Sequence, residues 1–246
     1  MKYEFLPPLM PGLARYRAMR RRTPKATILR AMEYELLETL SFKGRILDFG
    51  GGQGASYMPF LPDDIKLLSV NIDDQYSPTH LIAPGDPLPF EDDSFDGAIC
   101  LNVLEHIYDT RFALDEMFRV LRPGATLHVS VPFIFRVHGH PDDYSRHTSS
   151  WWRETMQRVG FAEMKIQPLV WGRATSAQLI RGNGIWPWLT TWRNVLRDIA
   201  HARLRSEDSR CMKGKFAERT AAVTPGWWIM AAKAPSRAGE QEADNG

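Results

Sequence analysis

The stretch Arg45-Ile-Leu-Asp48-Phe-Gly50-Gly-Gly52-Gln-Gly54-Ala55 decides the fold. A short apolar run enters a cluster of glycines, the pattern of a buried strand that turns sharply at its carboxyl end. Read as Gly-x-Gly-x-x-Ala, the turn could cradle a pyrophosphate on backbone N–H groups and a helix N-terminus, as dinucleotide-binding proteins do. Asp48 argues against that reading, because a carboxylate at the strand end disfavours a nearby pyrophosphate and favours a cationic ligand. Asp73 closes the next apolar run, 66–72, and can accept both ribose hydroxyls of an adenosine cofactor.

Outward from this turn the apolar pattern alternates between strand and helix. Thr23-Pro24 predicts a helix start, and Ile28, Met32, Leu36 and Leu40 carry one face through residue 40. Further strands are expected at 97–101, 126–131, 161–169 and 227–233. Asp109 is positioned to cap a helix bearing Phe112, Leu114, Met117, Phe118 and Leu121, stopped by Pro123-Gly124, and a second helix covers 150–159 before Gly160. The alternation predicts a doubly wound, mostly parallel α/β sheet spanning 23–233, with a helical insertion at 170–223 before the last strand. Residues 1–22 read as a basic arm in loop conformation, and 234–246, small and acidic, as a disordered tail.

With 246 residues the chain has room for one large domain or a domain carrying an insertion. Its 31 basic and 29 acidic side chains leave a net charge of +2, no global field to gather nucleic acid, and none is expected as a partner. Cys100 and Cys211 are too few and too far apart for a disulfide framework or a thiolate zinc site. No run of 18 apolar residues occurs, and the basic start is followed by no signal-like apolar stretch, so a cytoplasmic location is expected.

Four motifs now stand in order: Asp48-Phe-Gly50-Gly-Gly52-Gln-Gly54, Leu88-Pro-Phe90-Glu-Asp-Asp-Ser94-Phe-Asp96, Asn102-Val-Leu-Glu-His106 and Arg119-Val-Leu-Arg-Pro-Gly124. Over residues 45–132 the chain resembles class I S-adenosylmethionine-dependent methyltransferases. The resemblance implies a Rossmann-like sheet with an antiparallel last strand, S-adenosylmethionine as cofactor and methyl transfer as the reaction. It implies that Asp48, Gly50, Gly52 and Gly54 hold the methionine moiety, that Asp73 holds the ribose, and that Asn102 offers its backbone near the same moiety. The cofactor's sulfonium and ammonium agree with the cation preference argued for Asp48. The family often places an acidic residue near the adenine at the position occupied here by Pro84, and Asp86 is expected to substitute for it. For His106 a local hydrogen bond and a substrate contact are equally open. An NAD(P)-dependent reductase is the enzymatic alternative, permitted by the glycines and opposed by Asp48 and the later motifs. A non-catalytic adenosine-binding subunit is the other.

The loop at 132–149 contains His138-Gly-His140-Pro-Asp142-Asp-Tyr144-Ser-Arg146-His147-Thr148 and follows a strand, where open α/β sheets bind ligands. Methyl transfer from a sulfonium is an in-line displacement, so positioning does most of the work and a base helps a hydroxyl acceptor. His140 is the candidate base, with Tyr144 and Arg146, like His106, on the substrate side. The loop is similar to that of methyltransferases of glycan and cell-surface polymer synthesis, which implies a sugar or other small-molecule hydroxyl acceptor. His138, Asp142 and His147 lack a compact ligand spacing, so no metal is expected. Asp143, Tyr144 and Arg146 could instead lock the loop by salt bridges. In the insertion, Ile185, Trp188, Trp192, Val195 and Ile199 form a helical stripe accompanied by Arg193, Arg197, Arg203 and Arg205. The stripe can pack on the core, form a dimer contact or lid, or bring the 185–205 helix to a membrane surface, helped by Arg20 to Arg22.

Overall fold

The computed structural model describes residues 1–139, 141–182, 186–205 and 210–236. Its strands are β1 (Lys2–Phe5), β2 (Arg45–Phe49), β3 (Lys66–Asn71), β4 (His80–Leu81), β5 (Phe95–Leu101), β6 (Leu121–Pro132), β7 (Glu163–Leu169) and β8 (Gly226–Ala232). Its helices are α1 (Leu13–Arg22), α2 (Ile28–Leu37), α3 (Thr110–Val120), α4 (Ser149–Val159), α5 (Arg173–Arg181), α6 (Pro187–Arg203) and α7 (Gly214–Ala221). The strands make one sheet in the order β1-β7-β8-β6-β5-β2-β3-β4. Strand β8 runs antiparallel to β6 and β7, and every other pairing is parallel. The expected mostly parallel sheet with an antiparallel last strand is therefore present. The chain leaves β2 for β3 on one side and later returns to β5 on the other, so the strand order reverses between β2 and β5. A crevice opens there at the carboxyl ends of the strands.

Alternation along the central strands fills both faces. Leu47, Ala98, Cys100, Leu127 and Val129 face a core closed by Leu114 and Met117 of α3 and by Trp152 and Met156 of α4. Ile46, Ile99 and Trp228 face a second core with Met32 and Leu37 of α2 and Val195 and Ile199 of α6. Val195 and Ile199 of α6 thus help close the sheet on its second face, and the inserted segment supplies α5, α6 and α7.

Several boundaries differ from the expectation. The arm at 1–22 is ordered: β1 extends the sheet beyond β7, with Lys2 opposite Glu163 and Phe5 opposite Ile166, and α1 follows. A four-residue edge strand without apolar alternation carries no readable period, and α1 is held by an Arg15–Glu35 ion pair at 2.6 Å and by Arg15 over the Trp171 ring. Thr23 ends α1 rather than starting α2, its N–H and hydroxyl both donating to the Met19 carbonyl. Thr27 caps α2 by accepting from Arg30 N–H at 3.2 Å, and α2 stops at Leu37, short of Leu40. Helix α3 ends at Val120 because Leu121 already pairs with Phe95, so β6 starts before Pro123-Gly124 and not at Thr126. Of the expected tail, Ala234 accepts from Gly124 N–H at 3.1 Å, and 237–246 lie outside the described residues. Within the α6 stripe Val195 and Ile199 are buried, Trp188 and Trp192 are exposed, and Ile185 lies outside the described residues.

Candidate active site

The glycine turn leaves β2 and is stitched to β3. Gly50 N–H donates to the Val70 carbonyl at 2.8 Å, and the Asn71 side chain donates to the carbonyls of Gly50 and Gly51 at 2.8 and 3.1 Å. Gly52 has φ +157°, and a Cβ there would stand 2.2 Å from the Tyr76 carbonyl oxygen, so only glycine lets the turn lie against that backbone. Gly54 N–H donates to the same carbonyl at 3.0 Å. No α-helix follows: the crossover to β3 contains only a short 3₁₀ turn at Met58–Phe60. The helix N-terminus that a pyrophosphate would need is absent from this fully described segment.

Asp48 lies behind the turn, completely buried, and accepts from the Tyr57 hydroxyl at 2.6 Å. Burial pushes its carboxyl up to about 7, against the pull of the Tyr57 and Gly52 hydrogen bonds. A Cβ on Gly51 would stand 2.0 Å from both Asp48 Oδ2 and the Tyr57 hydroxyl oxygen, so the middle glycine keeps the acid close under the backbone.

A cleft of about 650 Å³ opens in front of the turn at the strand ends. Gly50, Asp73, Asp86, Asn102, His106 and Tyr144 line it together, drawn from five segments of the chain. Asp48, Gly52 and Gly54 support its floor without lining it. Asp73 caps the 3₁₀ turn at Asp74–Tyr76, accepting from Gln75 N–H at 3.0 Å and from the Gln75 side chain. A carboxylate offers about four acceptor positions, so two remain for a ligand. Asp86 closes its own turn by accepting from Ala83 N–H at 3.1 Å. Asn102 takes a left-handed conformation, φ +56°, at the end of β5, with its side chain donating to Glu33 Oε2 at 3.2 Å.

At the opposite end of the cleft the histidine loop meets the end of β5. Tyr144 N–H donates to the Glu105 carbonyl at 2.8 Å, and its hydroxyl donates to Asp142 at 3.1 Å. His106 Nε2 and His138 Nε2 stand 3.6 and 3.9 Å from the same oxygen, Oε1 of Glu105. Glu105 is 2% exposed, and burial pushes its carboxyl up to about 8, opposed by its own backbone N–H and by the Arg146 charge. Arg146 does not line the cleft; it pairs with Asp143, Nη2 to Oδ2 at 2.6 Å, and so locks the loop. His147 stacks on Trp151 with ring centroids 3.4 Å apart, away from His138 and Asp142, so the metal trio considered in the sequence is not assembled. His140, the candidate base, lies outside the described residues. Sequence reasoning passed over Glu33, which sits 2% exposed in α2 and accepts from Ser130 Oγ at 2.9 Å as well as from Asn102. Its signal was a charge in the middle of an apolar helix face.

Residues 47–129 match a family model described as a methyltransferase domain. A demethylmenaquinone methyltransferase of Streptomyces avermitilis is 34% identical over 89 residues, which covers 32% of this chain and 38% of that protein. An O-methyltransferase of Aspergillus nomiae is 34% identical over 106 residues, covering 37% of this chain and 47% of that protein. The chain thus spans less than half the length of these relatives. A solved structure titled as a S-adenosylmethionine-dependent methyltransferase, possible histamine N-methyltransferase, from Thermotoga maritima superposes with a TM-score of 0.53 at 17% identity, covering 89% of this chain and 96% of that one, and shows the shared fold. The segment from β2 to β6 that carries the glycine turn and the motifs at 88–96 and 102–106 therefore matches a methyltransferase domain in sequence.

Proposed function

We propose that this chain transfers the methyl group of S-adenosylmethionine to a hydroxyl of a small molecule or glycan. The observation that carries the reading is a single cleft with a carboxylate, Asp73, at one end and imidazoles and a tyrosine at the other, built at the strand-order reversal. The residues fit the cofactor: the turn is backed by an acid rather than a cation and lacks the helix N-terminus that would favour a pyrophosphate over a sulfonium. When bound, S-adenosylmethionine supplies an electrophilic methyl group on a positively charged sulfur. Gly50 and the left-handed Asn102 bring backbone to the methionine moiety, Asp73 accepts from the ribose hydroxyls, and Asp86 stands near the adenine. His106 and Tyr144 orient the acceptor, Arg146 fixes the loop through Asp143, and His140 is the base that takes the acceptor proton. Holding the acceptor oxygen in line with the methyl carbon provides most of the acceleration. The hydroxyl preference is supported by the likeness to an O-methyltransferase and by the imidazoles near the acceptor end. Calorimetry with S-adenosylmethionine and NAD(P), followed by an acceptor screen with labelled methyl donor, tests the reading. Tight NAD(P) binding without S-adenosylmethionine binding would sink it, and cofactor binding with no turnover across sugars and phenols would favour a non-catalytic subunit.

A second feature supports peripheral attachment to an anionic membrane through α6. Trp188, Trp192 and Leu196 recur every four residues on its solvent face with Arg193 and Arg197 beside them, all exposed. A cavity of about 1040 Å³ beside this helix is walled by Arg173, Arg181, Arg197, Arg205, Lys213 and Arg219, none in an ion pair among the described residues. Arg22 is instead paired with Glu38, and Arg20 donates to the Ala26 carbonyl, so α1 contributes less than its sequence suggests. Flotation with anionic vesicles at low salt is expected; no association under those conditions would leave α6 as a core helix with an incidental apolar face.

A further inference from the structure

We propose that Glu105, His106 and His138 form a binding site for one divalent transition-metal ion at the acceptor end of the cleft. One ligand atom from each residue lies within 4.8 Å of the other two. The buried carboxylate is what separates this trio from a chance cluster. His106 Nδ1 bonds the Asp142 carbonyl, which only accepts, so that nitrogen carries a proton. His138 Nδ1 lies 3.2 Å from the Arg136 carbonyl and 3.3 Å from Arg146 Nη2, so either tautomer of this ring has a partner there, and the tautomer with its Nδ1 proton on Arg136 leaves Nε2 to bind a metal. Both Nε2 atoms face Glu105 Oε1, at 3.6 and 3.9 Å. Fixing the distal ring nitrogen on a backbone carbonyl is the arrangement by which proteins orient metal-bound histidines.

Ligand atoms of three residues therefore converge on one space. Glu105 is 2% exposed, and neither of its carboxylate oxygens has a hydrogen-bond partner among the described residues. A buried carboxylate in that state is costly, and the cost falls when a positive group enters. A proton would serve one pair of acceptors and needs a separation of roughly 2.5 to 3.0 Å. A metal ion with bonds of about 2.0 to 2.2 Å serves all three and holds its ligand atoms roughly 3 to 3.5 Å apart, within reach of small side-chain rotations from the distances seen. Two imidazoles and one carboxylate suit Zn²⁺, Fe²⁺ or Co²⁺, whereas Mg²⁺ and Ca²⁺ prefer sets of oxygen ligands. Three protein ligands leave coordination positions open, and since His106 and His138 line the cleft those positions face it. An acceptor hydroxyl bound there would lose its proton more readily. That use rests on the methyl-transfer reading; the binding of the metal does not.

The test uses the full chain, stripped with a chelator, dialysed and titrated with Zn²⁺ against a chromogenic competitor in the absence of cofactor. One equivalent should bind, and Co²⁺ in its place should give visible absorption bands. His138 is in a surface loop with its side chain 40% exposed, so His138→Ala should keep the wild-type melting temperature. It should weaken Zn²⁺ binding at least about a hundredfold, since loss of an outer partner of a metal ligand alone costs about 10- to 100-fold, and it should abolish the Co²⁺ bands. His106→Asn should do the same. Absence of saturable binding, or binding that both variants leave unchanged, overturns the site. S-adenosylmethionine affinity measured on the same preparations separates the two readings: metal binding without cofactor binding refutes only the proposed function, and cofactor binding without metal binding refutes only this site.

Discussion

Asp48→Asn should change how stability depends on pH. The Asp48 carboxyl is fully buried, and burial moves it from 3.8 up to about 7 even though Tyr57 donates a hydrogen bond to it. A carboxyl that ionises later in the folded chain than in the unfolded one keeps its proton longer in the native state. Between those two values the native state binds more protons, and stability falls as pH rises. At about 1.36 kcal/mol per pKa unit, the penalty is absent well below pH 3.8, roughly 1.5 kcal/mol at pH 5 and roughly 4 kcal/mol from pH 7 upward. Asparagine carries no such penalty and still offers Tyr57 an acceptor. Urea titrations at pH 5 and pH 8 should therefore show the variant gaining about 2.5 kcal/mol on the wild type between the two conditions. His128, held down to about 4 by burial, makes both proteins less stable as pH falls from 6.5 toward that value, and it cancels in the comparison. Parallel pH profiles for the two proteins would refute the reasoning, since Asp48 would then ionise close to its ordinary value and could not be an acid stored under the turn.

Asp73→Ala should weaken binding of S-adenosylmethionine and S-adenosylhomocysteine by about 1 to 3 kcal/mol in calorimetry, the loss expected for charge-assisted hydrogen bonds. Unchanged affinity would remove Asp73 from the ribose site and leave it as the cap of the 3₁₀ turn. Gly52→Ala, which drives a Cβ to 2.2 Å from the Tyr76 carbonyl, should lower the melting temperature and the cofactor affinity together, and an unperturbed affinity would show that the turn can open at no cost to the cleft. Tyr57→Phe removes the donor from Asp48 and should steepen the loss of stability between pH 5 and pH 8; a flatter profile than wild type would contradict the hydrogen bond's direction.

The sheet was legible because its central strands are buried on both faces and each ends in a marked turn: Arg45–Phe49 could be bounded to the residue from its apolar run and the glycines that follow. The edge was not legible. Strand β1 is mostly exposed, so nothing in Lys2–Phe5 distinguishes it from loop until β7 is there to pair with it. The cleft followed a similar division. Asp73, Asp86, Asn102, His106 and Tyr144 line it, while Arg146 turned toward Asp143 because a buried carboxylate needs a partner more than an exposed cleft needs a cation. The approach of His138 to Glu105 and His106 was hidden by linear spacing. The two segments follow β5 and β6, and these strands pair in parallel, so the loops at their carboxyl ends are neighbours however many residues separate them.

The same parallel pairing explains why Asn102 can hold a left-handed backbone at the mouth of the cleft. For a residue other than glycine that conformation costs roughly 1 kcal/mol or more, and asparagine tolerates it better than most. It persists only where the surroundings determine it on several sides. Asn102 N–H donates to the Ser130 carbonyl at 2.7 Å across the β5–β6 ladder, and its side chain donates to Glu33. Glu33 in turn accepts from the Ser130 hydroxyl and pairs with Arg30 at 3.1 Å. A helix, two strands and one buried acid thus fix a single peptide unit beside Gly50. Breaking any one link leaves Glu33 or Asn102 with an unmet polar group in the core, so the arrangement yields as a unit or not at all. Rigidity of that kind suits a reaction whose rate depends on alignment: a cofactor held against this peptide and the Gly50 turn has little freedom to drift from the line of attack.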